Sequence, residues 1–236
     1  MSTLRGAASS SGGASKPPYA SFNLGGHVGD APTAVVENRR HLRISAGLPA
    51  EPSWLAQVHG VTVADLDGSG VLGPADAAVA HRPGTVCAIL TADCLPVVFS
   101  TDSGDAVGAA HAGWRGLAAG VLSETVLALG APAERLLAWL GPAIGPGHFE
   151  VGREVLEAFT AIDTGAGEAF QPNPRGRFMA DLERLARRQL AHLGVTRVYG
   201  GGECTYRQAD RYFSHRRDGV TGRQATLIWR ENSQKR

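Results

Sequence analysis

The stretches Gln57-Val58-His59-Gly60, Thr91-Ala92-Asp93-Cys94 and His111-Ala112-Gly113-Trp114-Arg115-Gly116 hold the residues of this chain most able to do chemistry. Each sets a soft or borderline metal ligand beside a tight-turn residue or at the end of an apolar run. His59 precedes Gly60, where a sharp turn aims an imidazole inward; Cys94 precedes Leu95-Pro96; His111 closes a run of small residues. Two imidazoles and one thiolate hold a metal ion and leave a coordination position open. That is the composition of a catalytic zinc site, since structural zinc sites use four protein ligands. All three ligands fall at expected strand ends beside loops, where functional sites are assembled. Singly, each has a plainer reading: a hydrogen-bonded histidine or an inert buried thiol.

Thiolate and imidazole suit zinc and copper alike. A laccase-like copper oxidase needs many histidines, typically in His-x-His pairs, and His27, His41, His59, His81, His111, His148, His192 and His215 include no such pair. A blue-copper axial methionine would have to be Met1 or Met179, and both lie far in sequence from the ligand stretches. Zinc is therefore the expected ion and copper the less favoured one. An open zinc position polarises a carbonyl or lowers the pKa of water to about 7. The same residues allow a metal-free alternative, with Cys94 as nucleophile and His111 as its base. Asp93 would then orient the base, or else cap a turn. Arg115 stands at a helix start, where free N–H groups and a guanidinium suit phosphate or carboxylate; the alternative is that it closes over Trp114. Gly200-Gly201-Gly202-Glu203-Cys204-Thr205 and Phe213-Ser214-His215-Arg216-Arg217-Asp218-Gly219 form a second polar cluster, read as a close approach to a ligand or as a plain loop.

The elements that must position these residues follow from periodicity. Asp30 and Pro32 mark a helix start, with Val35, Val36, Arg39 and Leu42 in its body and Gly47 as its stop. Residues 58–66 alternate as a strand. Residues 86–90, 95–99 and 106–110 are continuous apolar runs, which suit strands buried on both faces. Leu117, Val121, Leu122, Val126 and Leu129 share a helical face closed by Gly130. A strand at 136–140 leads into the turn-rich Gly141-Pro142-Ala143-Ile144-Gly145-Pro146; a second amphipathic helix spans Leu182 to Leu193, and strands follow at 196–199 and 225–229. Residues 1–17 read as a flexible segment, 18–230 as one mixed α/β domain and 231–236 as a polar tail.

Composition sets outer bounds. With 23 Lys and Arg against 22 Asp and Glu, no global field exists to attract nucleic acid or an anionic membrane. Three cysteines are too few for a disulfide framework, so a reducing compartment, the cytoplasm, is expected. No apolar run approaches the roughly 20 residues that span a bilayer.

Taken in order, Phe22-Asn23-Leu24-Gly25, Asn38-Arg39, Gln57-Val58-His59-Gly60, Ala92-Asp93-Cys94, His111-Ala112-Gly113-Trp114-Arg115-Gly116, Gly141-Pro142-Ala143-Ile144-Gly145 and Arg216-Arg217-Asp218-Gly219 resemble the YfiH family, also called the laccase-domain or multicopper polyphenol oxidase-like family. The likeness runs from about Pro18 to Trp229. It implies a single domain of layered β-sheets flanked by helices, αββα-like, similar to the catalytic domain of cytotoxic necrotizing factor toxins. It also implies a zinc site on His59, Cys94 and His111. The activity it implies is phosphorolysis of adenosine, inosine and methylthioadenosine, with adenosine deamination as a side activity and a link to peptidoglycan editing in one bacterial member. On this reading Asp93 is a proton-transfer group and Arg115 a phosphate or substrate anchor. Asn23, Arg39, Gln57 and Arg216 are substrate-binding candidates, the partners are purine nucleosides and phosphate, and a monomer is expected. The chain departs from the family at Gly147-His148, where many members carry cysteine, and at His215, where tyrosine is common; its N-terminal hairpin is also shortened. The competing readings are a metal-free Cys94–His111 amide hydrolase acting on cell-wall precursors, a disfavoured copper-dependent polyphenol oxidase, and a nucleoside-binding protein without turnover.

Overall fold

Strands in which every residue is buried cannot lie on a surface, and Val86–Thr91 and Val107–Ala112 are of that kind. The computed structural model describes residues 1–6, 12–68 and 73–231. Along the chain the elements are α1 (Pro32–Ser45), β1 (Ser53–Trp54), β2 (Val63–Asp65), β3 (Ala77–Ala80), β4 (Val86–Thr91), β5 (Leu95–Thr101), β6 (Val107–Ala112), α2 (Trp114–Ala119) and α3 (Val121–Ala128). There follow β7 (Leu136–Leu140), β8 (Glu150–Val151), α4 (Arg153–Thr160), β9 (Phe170–Pro172), β10 (Phe178–Ala180), α5 (Leu182–His192), β11 (Arg197–Gly200), α6 (His215–Asp218) and β12 (Gln224–Trp229).

Two sheets stack face to face. The larger has the order β11-β7-β5-β6-β3-β2, antiparallel in the middle and parallel at both edges; the smaller has the order β1-β4-β12. The two-residue repeat of a strand sorts side chains between layers. From β4, Cys87 and Ile89 enter the space between the sheets with Val98, Val107 and Ala109, whereas Val86, Ala88 and Leu90 face outward with Leu42 of α1. On the far face of the large sheet, Leu95, Val97, Phe99 and Ala110 pack with Leu117 and Leu122 of α2 and α3 and Leu185 and Leu190 of α5. The layers therefore run helix, sheet, sheet, helix, the αββα arrangement expected. β8, β10 and β9 form a separate small antiparallel sheet.

Several local expectations are revised. Of residues 58–66 only Val63–Asp65 is strand; residues 58–62 form an irregular loop. The helix expected over 117–129 is two helices, broken where Gly120 takes φ 99°. Asp30 does not cap α1; its carboxylate accepts hydrogen bonds from the Ser15 hydroxyl (2.6 Å), the Asn23 amide (2.9 Å) and the Ala31 N–H (2.8 Å). The start of the segment read as flexible is tied down: Ser2 bridges Thr226, and the Thr3 N–H donates to the Ala225 carbonyl at 2.8 Å. Residues 7–11 of that segment and 232–236 of the tail lie outside the described residues. Among the described residues no helix is long and apolar enough to cross a membrane.

Candidate metal centre

His111 ends β6, Cys94 closes the turn between β4 and β5, and His59 sits in the loop before β2, so the stacking of the sheets brings all three to one end. One ligand atom from each of His59, Cys94 and His111 lies within 4.8 Å of the other two. The Cys94 Sγ stands 3.8 Å from the His59 Nε2, and the two imidazole rings meet edge to face at 4.7 Å between centroids. His59 is exposed, Cys94 partly so and His111 buried, an arrangement with one open side.

Asp76, fully buried at the entry to β3, organises this group, and sequence reasoning missed it. Its carboxylate accepts hydrogen bonds from the backbone N–H groups of Val58 (3.1 Å), His59 (2.9 Å) and Gly60 (2.7 Å), which holds the loop and keeps His59 at φ 64°. It also accepts from the Nδ1–H of His111 at 2.8 Å. That bond leaves the Nε2 of His111 free as a ligand, the carboxylate–histidine pairing common behind bound metals. Burial opposes the charge of Asp76, but the bonds from His111, Gly60 and Val58 outweigh it and hold the carboxyl below its usual range. Burial likewise pushes the Cys94 thiol up, yet the adjacent His111 and His59 imidazoles bring it down to about 6. For His111, burial favours the neutral ring, while Cys94 and Asp76 together raise its pKa.

The donor set fits a metal ion sterically as well. A Cβ at position 113 would fall 2.8 Å from the His59 Cδ2 and 2.9 Å from the Cys94 Sγ, so glycine there keeps the ligand side clear. A Cβ at 116 would meet the Gly60 carbonyl at 2.9 Å, so the small residues of 111–116 let α2 pack on the His59 loop.

The remaining candidates have other duties or stand apart. The Asp93 carboxylate, at φ 100°, accepts from the Thr205 hydroxyl (2.7 Å) and the Arg216 N–H (2.6 Å), while its carbonyl accepts from the Ile144 N–H (2.8 Å). It thus ties the Cys94 turn to three other segments. Asn23 is fully buried and spends its amide on Gly25, Asp30 and Arg223. Gln57 makes two 2.8 Å bonds to the backbone of Leu90 in β4. These geometries give Asn23 and Gln57 structural work. The guanidinium of Arg115 stacks on Trp114 at 4.5 Å, and Arg216 donates to the Glu150 carbonyl at 2.9 Å and lies over Phe149. Arg39 stacks on Trp54 at 4.2 Å.

Two glycines of the 200–202 cluster have a packing cause: side chains at Gly200 and Gly201 would strike the Leu140 carbonyl and the Glu183 carboxylate. His148 stacks on Tyr206, and the His215 Nδ1–H donates to the Gly219 carbonyl. A second group, Asp65, Asp67 and His81, also has one ligand atom from each residue within 4.8 Å of the others. Asp67, however, is already bonded to His81, Arg82 and Thr85, which closes a turn.

Comparison with known proteins places the chain in a family. The family model described as multi-copper polyphenol oxidoreductase laccase matches residues 5–231. A Pseudomonas aeruginosa protein named purine nucleoside phosphorylase is 58% identical over 93% of this chain and 90% of its own length. Escherichia coli purine nucleoside phosphorylase YfiH is 53% identical over 92% of this chain and 90% of its own. Among solved structures, a Neisseria meningitidis protein superposes with a TM-score of 0.92 at 46% identity, covering 98% of this chain and 93% of that one. YlmD from Geobacillus stearothermophilus does so with a TM-score of 0.86 at 32% identity, covering 94% and 89%. With sequence match and fold in agreement over almost its whole length, the chain belongs to the laccase-like YfiH family.

Proposed function

We propose that this protein is a zinc-dependent purine nucleoside phosphorylase acting on adenosine, inosine and methylthioadenosine, with adenosine deamination as a side activity. The observation that carries the reading is the His59–Cys94–His111 group backed by the Asp76 carboxylate; the names of the relatives supply the reaction class. His59 Nε2, Cys94 Sγ and His111 Nε2 would hold the ion, which supplies Lewis acidity in an open position. A thiolate at neutral pH, favoured by the imidazoles beside it, is the form a metal needs. The histidine count and the absence of His-x-His pairs keep copper oxidation the disfavoured reading.

In phosphorolysis a phosphate oxygen bonds to the anomeric carbon while the bond from that carbon to the purine nitrogen breaks. The electron pair leaves with the base, which takes up a proton. Side chains accelerate this by orienting the reactants and stabilising the charge that develops on the base. Arg115 and Arg216, exposed and stacked on aromatic rings, are the proposed substrate contacts at the mouth. Asp93 acts as a positioning residue, since both carboxylate oxygens are engaged. Adenosine supplied with and without phosphate separates the two activities: ribose 1-phosphate marks phosphorolysis, and inosine marks deamination. Metal-loaded protein that forms neither product would end the proposal.

One observation favours a second reading. Asp76, His111 and Cys94 follow one another as carboxylate, imidazole and thiol, the order of a cysteine hydrolase. The orienting acid is Asp76, not Asp93. Full activity of chelator-treated protein, lost on alkylation of Cys94, would favour this amide hydrolase over the phosphorylase.

A further inference from the structure

Arginine carries five N–H donors and a permanent charge, so a guanidinium drawn below the surface ordinarily meets a carboxylate or a phosphate. Arg39 and Arg223 meet neither. Arg39 gives Nε and Nη2 to the single carbonyl oxygen of Leu24, at 3.0 and 2.8 Å. Arg223 gives Nη1 to the carbonyls of Thr221 and Gly222, at 3.0 and 2.9 Å. Among the described residues neither forms an ion pair, and the Nη1 of Arg39 and the Nε and Nη2 of Arg223 have no acceptor. Both side chains are partly buried, and burial works against the charge of each. Leaving a charge desolvated and unpaired is costly, so such pairs of guanidinium groups are the mark of an anion site.

The surroundings are built rather than incidental. The face of Arg39 lies on Trp54, which fixes the plane of its fork, and the Trp54 indole N–H is itself held by Glu51 at 2.8 Å. The turn Gly25-Gly26-His27 passes both arginines. A side chain at Gly25 would fall 2.8 Å from the Arg223 Cγ, and one at Gly26 would reach the Arg39 Nη2 at 3.9 Å. β12 pairs Gln224 with Thr91, so Arg223 stands beside the turn that carries Cys94, and this basic group borders the ligand triad.

We propose that Arg39, Arg223 and His27 form the oxyanion subsite of this centre, holding tetrahedral inorganic phosphate beside the His59–Cys94–His111 group. The proposal rests on, and deepens, the phosphorolytic reading: it places the co-substrate on this side of the centre and away from Arg115. Arg223 offers its Nε and Nη2 and Arg39 its Nη1, in-plane donors suited to phosphate oxygens, and the exposed His27 follows Gly26 in the turn beside them.

The test is calorimetric titration of metal-loaded protein with inorganic phosphate, and with sulfate as a competitor. Arg39→Gln and Arg223→Gln should each weaken phosphate binding at least tenfold with zinc content unchanged, and His27→Gln several-fold. Arg135→Gln, which removes the same charge from a surface pair with Asp102, should bind as the parent does. His27 is exposed, so its variant reports on the subsite even if an arginine variant fails to fold. Arg39→Lys and Arg223→Lys should recover part of the affinity. In turnover, the KM for phosphate should rise in the glutamine variants far more than the KM for nucleoside. A parent protein that binds no phosphate, or variants that bind it as tightly as the parent, would overturn the subsite. Phosphate binding lost in the variants, in a protein that never makes ribose 1-phosphate, would uphold the subsite and refute the phosphorylase reading alone.

Discussion

Asp76 accepts four hydrogen bonds in a place closed to water, three from the loop that carries His59 and one from His111. No motif marks this aspartate. It lies in an ordinary Pro-Ala-Asp-Ala-Ala run, and only the pairing of β3 with β6, which sets Ala77 against Ala110, brings it to His111. The three candidate ligands were legible because His59 and His111 stand near glycines and Cys94 lies between two apolar runs; Asp76 was not, because three of its four partners are backbone N–H groups. Replacing Asp76 by Asn puts an NH2 group or a weaker acceptor against those donors. Zinc affinity, measured by chelator competition, should fall about 10- to 100-fold; unchanged affinity would show that the carboxylate does not act through His111. The thiol gives a second residue-scale expectation. In metal-free protein the Cys94 thiolate forms as pH rises through about 6, whereas a free cysteine titrates near 8.5. Alkylation of Cys94 should therefore reach half its maximal rate near pH 6 and be slowed by zinc. A midpoint above 8 would mean the imidazoles do not bear on the sulfur.

At the scale of elements, what could be read depended on whether side chains carried the signal. Runs 86–90, 95–99 and 106–110 were recognisable as strands because both faces are buried and every position is apolar or small. Residues 58–62 alternate as a strand does, yet the N–H groups of Val58, His59 and Gly60 go to a carboxylate instead of a neighbouring strand, and hydropathy carries no trace of that choice. β3 went unread because Ala-Ala-Val-Ala suits helix and strand equally. α4 was missed although Val155 and Phe159, four residues apart, form its buried face. The turn from β6 into α2 yields a sharp expectation. Gly113 has φ −63° and ψ 155°, which any residue adopts, so the only obstacle to a side chain there is contact with His59 and Cys94. Gly113→Ala should cost about 1–3 kcal/mol by overpacking and lower zinc affinity at least tenfold, while the circular dichroism of the fold is retained. Zinc bound by the alanine variant as tightly as by the parent would show that the ligands have room to spare.

Across the whole molecule, the centre draws on segments that otherwise belong to different layers. His111 rides the large sheet, Cys94 the crossing between the two sheets, and His59 a loop held mainly by Asp76. Asp93 then links the Cys94 turn to the 205 and 216 segments, so one end of the molecule is fastened by few, long-range bonds. Sequence patterns give the layers, because burial is a property of single positions; they do not give this convergence, which depends on register between strands far apart in the chain. An ion bound by all three ligands would cross-link those segments and favour the folded state by mass action. At a free zinc concentration one hundred times the Kd the gain is about 2.7 kcal/mol, which for a chain of this size raises the melting temperature by roughly 5–10 °C. Differential scanning calorimetry should show that rise between chelator-treated and zinc-loaded protein, and show it growing with zinc concentration. Cys94→Ser should abolish most of the rise without shifting the metal-free transition by a similar amount. Identical transitions with chelator and with zinc would mean that the three side chains approach one another without sharing an ion, and the resemblance to a catalytic zinc site would then be one of composition alone.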